Sequence, residues 1–139
     1  MWLAFLGSQA PYAADLNLIA QAVTIFLLVA GAFLARTARL RLHARLMRLA
    51  IMIQIGALIL WMGPSLLLNI GAFGSLGFGP FITALHVLSG VLALMLAISA
   101  AYHRKIGSWQ LKWTMRSAFF LWVLAAIIGI SFYAYYYLL

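Results

Sequence analysis

The sequence is poor in charged residues and has no cysteine. Of its 139 residues only 7% are charged, and Asp15 is the single acidic one. The absence of cysteine excludes disulfides, thiolate metal sites and cysteine nucleophiles. A single carboxylate also excludes catalysis by a pair of acidic side chains. A soluble domain has roughly 25% charged residues, so this chain, at 68% hydrophobic, suits a lipid bilayer rather than water.

The basic residues form two clusters beside long apolar runs. Five fall between Arg36 and Arg48 and four between Arg104 and Arg116. This pattern is typical of membrane orientation rather than nucleic-acid binding, and the positive-inside rule predicts that both clusters are cytoplasmic. We expect them to bind anionic lipid headgroups, at about 1 kcal/mol per residue, or an acidic partner surface. They comprise Arg36, Arg39, Arg41, Arg45, Arg48, Arg104, Lys105, Lys112 and Arg116.

Four apolar segments are long enough to cross a bilayer, which takes about 20 residues per helix. The pattern predicts one all-α domain over 1–139, with transmembrane helices at about 16–35, 47–70, 80–102 and 115–138. The prediction is a polytopic four-helix bundle with both chain ends outside, in a bacterial or archaeal inner (plasma) membrane. Segment 1–7 lacks the basic region of a signal peptide and is expected in the outer interface.

Local signals refine these helices. Asp15 is expected to N-cap the first helix, and Pro64 beside Gly63 is expected to kink the second. The uncharged glycine-rich stretch 71–79 is predicted as an outer loop that either dips into the membrane or forms a tight turn. Small residues at four-residue spacing predict a close-packing face on the third helix. They are Ser89, Ala93, Ala97 and Ala101. Interfacial tyrosines are expected at the outer end of the fourth helix, namely Tyr133, Tyr135, Tyr136 and Tyr137.

Polar side chains converge at one depth of the predicted bundle. At 1.5 Å rise per residue, Gln21, Ser65 and His86 lie roughly 8–10 Å below the outer surface. Polar groups inside a bilayer are costly unless paired, so a polar cluster is expected in the interior. His86 has three readings: a structural bond to Gln21, Ser65 or a backbone carbonyl; a contact to haem, copper or a quinone; or a proton relay.

The other two histidines belong to the cytoplasmic side. His43 is a second candidate metal ligand and can approach His103 if the second and third helices are neighbours. The surrounding arginines repel a cation, which favours solvated interfacial histidines instead.

Several residues resemble the YozB-like family of small four-helix membrane proteins. The matching features are Asp15-Leu16-Asn17, the His-x-x-x-Met pair of His43 and Met47, His86, and then Trp122, Gly129 and Tyr133. The family includes a factor implicated in maturing haem–copper cytochrome oxidases, so the resemblance implies haem or copper as a cofactor. Two of four family histidines are not in place, near Ser65 and near Leu111 or Lys112. The resemblance therefore implies a relative that kept the scaffold and lost the site.

Three functions stay open. The first is a non-catalytic accessory subunit or assembly factor of a larger membrane complex, respiratory (haem–copper oxidase-type) or photosynthetic, in an electron transport chain. The second is a haem-, copper- or quinone-binding redox protein that uses His86. The third is a small transporter around Gln21, Ser65 and His86, although internal repeats are not evident. We expect no enzymatic activity, and the sequence requires no cofactor.

Overall fold

The computed structural model is all-helical and describes residues 10–68, 78–102 and 107–138. This part of the chain contains four long helices: α1 Tyr12–Arg36, α2 Leu40–Leu68, α3 Phe78–Tyr102 and α4 Ser108–Tyr137. Each is long and apolar enough to cross a membrane, so the prediction of four such helices is confirmed. Three predicted features lie outside the described residues: segment 1–7, residues 71–77 of the glycine-rich loop, and His103.

All four helices begin earlier than predicted, α3 by only two residues, at Phe78. α1 begins at Tyr12, α2 at Leu40 and α4 at Ser108. The prediction started each helix where its apolar run starts, but Arg, Leu and Ala are good helix formers in polar sequence too. The link between α1 and α2 therefore shrinks to residues 37–39, where Ala38 has a φ of 57°.

Asp15 does not cap α1, so that prediction is wrong. The N-cap is Pro11, which provides no side-chain hydrogen bond, and Asp15 lies inside the first turn. Because the helix begins at Tyr12, the Asp15 side chain points into the bundle and is fully buried. It accepts a hydrogen bond from the hydroxyl of Tyr133 on α4, which ties the two ends of the described chain together.

The helices pack as two hairpins, α1–α2 and α3–α4, that join into one bundle. α2 contacts α3, and α1 contacts α4, so neighbours follow chain order around the bundle. The core contains one residue from each helix: Leu28, Ile51, Ala93 and Trp122. Of the predicted small-residue face, Ser89 and Ala93 are buried inside this chain.

α2 contains a π-helical turn, Leu58–Met62, just before the predicted kink. Pro64 has no N–H, and its ring crowds the carbonyl four residues earlier, so the regular hydrogen-bond ladder is interrupted. The N–H of Gly63 bonds the carbonyl of Leu58 instead, five residues back. A Cβ on Gly63 would lie 2.8 Å from that oxygen, so only glycine fits this turn. Turns of this kind are frequent at functional sites.

Candidate functional site

A cavity of about 600 Å³ lies between the four helices at the end of the bundle that holds Asp15. The π-helical turn of α2 contributes Trp61 and Met62 to its wall. The wall is mainly apolar, and its polar side chains include Asn17, Gln21, Ser65, Thr83 and His86. Small-molecule sites usually have volumes of roughly 300–1,000 Å³, mainly apolar walls and a few polar groups.

The structure brings the three predicted site residues to this one cavity. Gln21, Ser65 and His86 all line it, each from a different helix. The sequence suggested Gln21, Ser65 or a backbone carbonyl as a structural partner of His86. The structure shows a hydrogen bond to a backbone carbonyl, that of Ala125 on α4. Whether these residues bind a ligand stays a prediction.

The imidazole of His86 is oriented by α4. Its Nδ1 lies 2.8 Å from the carbonyl oxygen of Ala125. A carbonyl only accepts, so Nδ1 must donate, and in the neutral ring Nε2 then has a free lone pair. Nε2 has no hydrogen-bond partner among the described residues. Metal-ligating histidines have their second ring nitrogen fixed by the same kind of bond.

Gly129 makes room for this ring. A Cβ on Gly129 would lie 2.9 Å from Cε1 of His86, closer than van der Waals contact allows. Phe132, on the same helix, meets the ring edge-on at a centroid distance of 6.4 Å. α4 therefore holds His86 by a hydrogen bond, a glycine and an aromatic contact.

A smaller cavity of about 50 Å³ shares Gln21, Met62 and His86 with the main one and reaches the core at Trp122. Gln21 Nε2 donates to Gln54 Oε1 at 3.1 Å, which joins α1 to α2. Gln54 Nε2 in turn lies 3.8 Å from the sulfur of Met62. The sequence analysis missed Gln54, although an isolated amide in the apolar run from Leu49 to Met62 was a usable signal.

Tyr133 faces the interior of the bundle. It is 9% exposed, lines the main cavity and donates to the carboxyl group of Asp15. Tyr135 and Tyr136 are exposed, and the placement of these tyrosines at a membrane interface stays a prediction. The bond between Tyr133 and Asp15 spans 118 positions of sequence, so no local pattern could reveal it.

His43 lies far from this cavity. Its Nδ1 is 2.8 Å from the carbonyl of Gly31, and its Nε2 is buried without a hydrogen-bond partner among the described residues. The expectation of a solvated histidine is therefore wrong. Along α2, His43 and Met62 are about 28 Å apart at 1.5 Å per residue, so His43 and His86 cannot share a metal. The described residues contain no group of three or more His, Cys, Asp or Glu that could hold one.

The basic residues occupy the opposite end of the bundle. Arg104 and Lys105 lie outside the described residues, and the other seven are all exposed. Arg116 stacks over the ring of Trp113 at 5.8 Å. Contact of this basic and aromatic rim with lipid headgroups stays a prediction.

No family model, curated protein or solved structure matches this chain. The resemblance to the YozB-like family therefore stays a prediction. A ligand site is therefore supported only by the cavity and by the contacts of His86.

Proposed function

We propose that this chain is a multi-pass membrane protein that binds a small, mainly apolar ligand in the main cavity, with His86 as its polar contact. The observation that carries the proposal is the free Nε2 of an oriented histidine on the wall of a cavity of about 600 Å³. In the orientation that we propose, the basic end is cytoplasmic and the cavity opens in the outer half of a bacterial or archaeal plasma membrane.

The chemistry of His86 favours a ligand that donates a hydrogen bond. Its free lone pair can accept a hydrogen bond from a hydroxyl, such as that of a quinol, without a change of ring orientation or tautomer. Copper fits less well, because it needs several nitrogen or sulfur ligands. The sulfur of Met62, the other soft ligand in the wall, already lies near the amides of Gln21 and Gln54. Among the described residues, a haem would likewise have His86 as its only histidine at this level.

The accessory or assembly role in an electron-transfer complex stays a separate prediction that depends on the family resemblance. The small-residue face of α3 does not favour it, because Ser89 and Ala93 are buried within this chain.

A pair of probes tests the proposed function. Tetramethylhydroquinone has two hydroxyl donors, and its dimethyl ether has the same ring without them. We expect saturable binding of the hydroquinone to the protein in lipid nanodiscs, measured anaerobically against empty nanodiscs. The ether should bind about tenfold more weakly, because its methyl groups leave the lone pair of His86 without a donor, which costs about 1–3 kcal/mol.

Matched variants identify the residue responsible. His86→Leu should abolish the preference for the hydroquinone, whereas His43→Leu, a histidine with a similar backbone bond at the other end, should keep it. Equal binding of both probes by the unchanged protein, or a preference that survives His86→Leu, would contradict the proposal.

A further inference from the structure

Charge is distributed unevenly along the bundle. The described basic residues all lie at the end opposite the cavity: Arg36, Arg39, Arg41, Arg45, Arg48, Lys112 and Arg116. Asp15, the only acidic residue of the sequence, lies at the cavity end. Helix dipoles largely cancel, because each end of the bundle has two helix starts and two helix ends. Among the described residues, the cavity end therefore has the one acidic side chain, fully buried and hydrogen-bonded by Tyr133, and no basic one.

Aromatic rings form much of the cavity wall. They are Trp61, Phe132, Tyr133, Tyr136 and Tyr137. Four of them form two contacting pairs on α4, and the two rings of each pair are one helical turn apart. The ring centroids are 6.2 Å apart in Phe132–Tyr136 and 5.3 Å apart in Tyr133–Tyr137. The faces of such rings attract cations, most strongly where water is excluded.

Several donors of the cavity wall already have partners within the protein. The hydroxyls of Tyr133 and Thr83 and the amide of Gln21 already donate within the protein. His86 Nε2 has a free lone pair, and Asn17 Oδ1 is buried without a hydrogen-bond partner among the described residues. The lone pair of His86 Nε2 therefore suits a ligand that brings a hydrogen-bond donor.

We infer that the ligand of this cavity is a hydrophobic amine bound as its ammonium ion, with an N–H donating to His86 and the charge held among the aromatic rings. The inference rests on the proposed function, and it specifies in addition that the ligand is positively charged. A neutral alcohol can use His86 but gains nothing from the aromatic faces or from Asp15. A carboxylate has no donor for His86 and gains nothing from the ring faces, which are negative.

Three probes with one tail separate these cases. They are 4-phenylbutylamine, which is an ammonium ion at neutral pH, 4-phenylbutan-1-ol and 4-phenylbutanoate. Binding is measured by calorimetry to the full chain in nanodiscs of zwitterionic lipid, which avoids attraction of the amine to anionic headgroups. Empty nanodiscs provide the baseline. We expect the ammonium to bind at least about tenfold more tightly than the alcohol, which is about 1.4 kcal/mol, and the carboxylate to show no saturable binding.

Charge and ring variants test the cause. Asp15→Asn keeps the size of the side chain and an oxygen that can accept from Tyr133, and it should weaken the ammonium alone. Tyr136→Leu, at a wall ring that is 64% exposed, should weaken the ammonium more than the alcohol without disturbing the fold. Arg116→Gln removes one charge at the opposite end, and it should change neither the affinity for the ammonium nor that for the alcohol. Far-UV circular dichroism in the nanodiscs shows that each variant is folded.

The outcomes separate the two proposals. Equal affinity for the ammonium and the alcohol, both lost in His86→Leu, overturns this inference and leaves the proposed function standing. Tighter binding of the carboxylate, or ammonium binding that neither Asp15→Asn nor Tyr136→Leu weakens, also overturns the inference. Absence of saturable binding by all three probes and by tetramethylhydroquinone overturns both.

Discussion

Replacing Gly129 by alanine tests whether the His86 ring is held where the site requires it. The new Cβ would lie 2.9 Å from Cε1 and 3.5 Å from Nδ1 of His86. Carbon atoms pack at about 3.5–4.0 Å, so the ring or α4 must shift by roughly 0.6–1.1 Å. The ring cannot shift without straining its 2.8 Å hydrogen bond to Ala125.

The expected loss of stability combines three terms. Overpacking a closed site costs about 1–3 kcal/mol, and weakening the hydrogen bond adds up to about 0.5–1.5 kcal/mol. Replacing a helical glycine by alanine offsets this by about 0.5–1 kcal/mol. We therefore expect Gly129→Ala to lower the free energy of unfolding by about 0.5–4 kcal/mol, with about 2 kcal/mol as the central value.

The assay is unfolding by SDS in mixed micelles, followed by far-UV circular dichroism. Gly56→Ala is the matched control, because nothing lies within 4 Å of a Cβ at that helical glycine. It should be neutral or stabilising by up to about 1 kcal/mol. The side-chain ¹⁵N signals of the histidines give a second readout, in which the Nδ1–H resonance of His86 should move and that of His43 should not.

One result would refute this reasoning. If Gly129→Ala unfolds at the same SDS fraction as Gly56→Ala and the Nδ1–H signal of His86 is unchanged, the ring does not pack on α4. The geometry on which both proposals depend would then be wrong.

Three further predictions concern other contacts. A double-mutant cycle of Gln21→Leu and Gln54→Leu should give a coupling energy of about 0.6 kcal/mol, typical of interhelical hydrogen bonds in membranes; zero coupling in SDS unfolding would show that the amides do not bond. Tyr133→Phe should lower the free energy of unfolding by about 1–3 kcal/mol, because a buried carboxylate loses a donor. Tyr135→Phe, at an exposed ring, should change it by less than about 0.5 kcal/mol, and equal effects of the two would contradict the bond. Ala38→Gly should raise the thermal midpoint, because a left-handed backbone costs a non-glycine residue roughly 1–2 kcal/mol; a lower midpoint would argue against that turn.

The sequence by itself determined the class of the molecule and the number of long helices. Transfer energies into lipid add along a segment regardless of what the segment packs against, so composition alone predicts spanning helices. The level of the candidate site was also predictable. Helical rise converts sequence position into depth, and Gln21, Ser65 and His86 do line one cavity.

Sequence alone did not predict the ends of the helices. Hydropathy marks where a segment becomes apolar, whereas backbone hydrogen bonds extend the helix into basic sequence, as in α2 from Leu40 onward. Pro64 predicted an irregularity in this part of α2, but it did not predict that the irregularity is a π-helical turn at Leu58–Met62.

Only the tertiary structure decided which side chains meet. In a soluble protein the apolar face of a helix points to the core. Lipid and the bundle interior are equally apolar, so hydropathy does not reveal how each helix is rotated about its own axis. That rotation brings Tyr133 to Asp15 and Gln54 to Gln21. It also sets His86 against Ala125 and Gly129, which fixes the Nδ1 proton and leaves Nε2 free. The candidate chemistry depends on that packing, because a histidine in a sequence does not reveal which of its nitrogens is available.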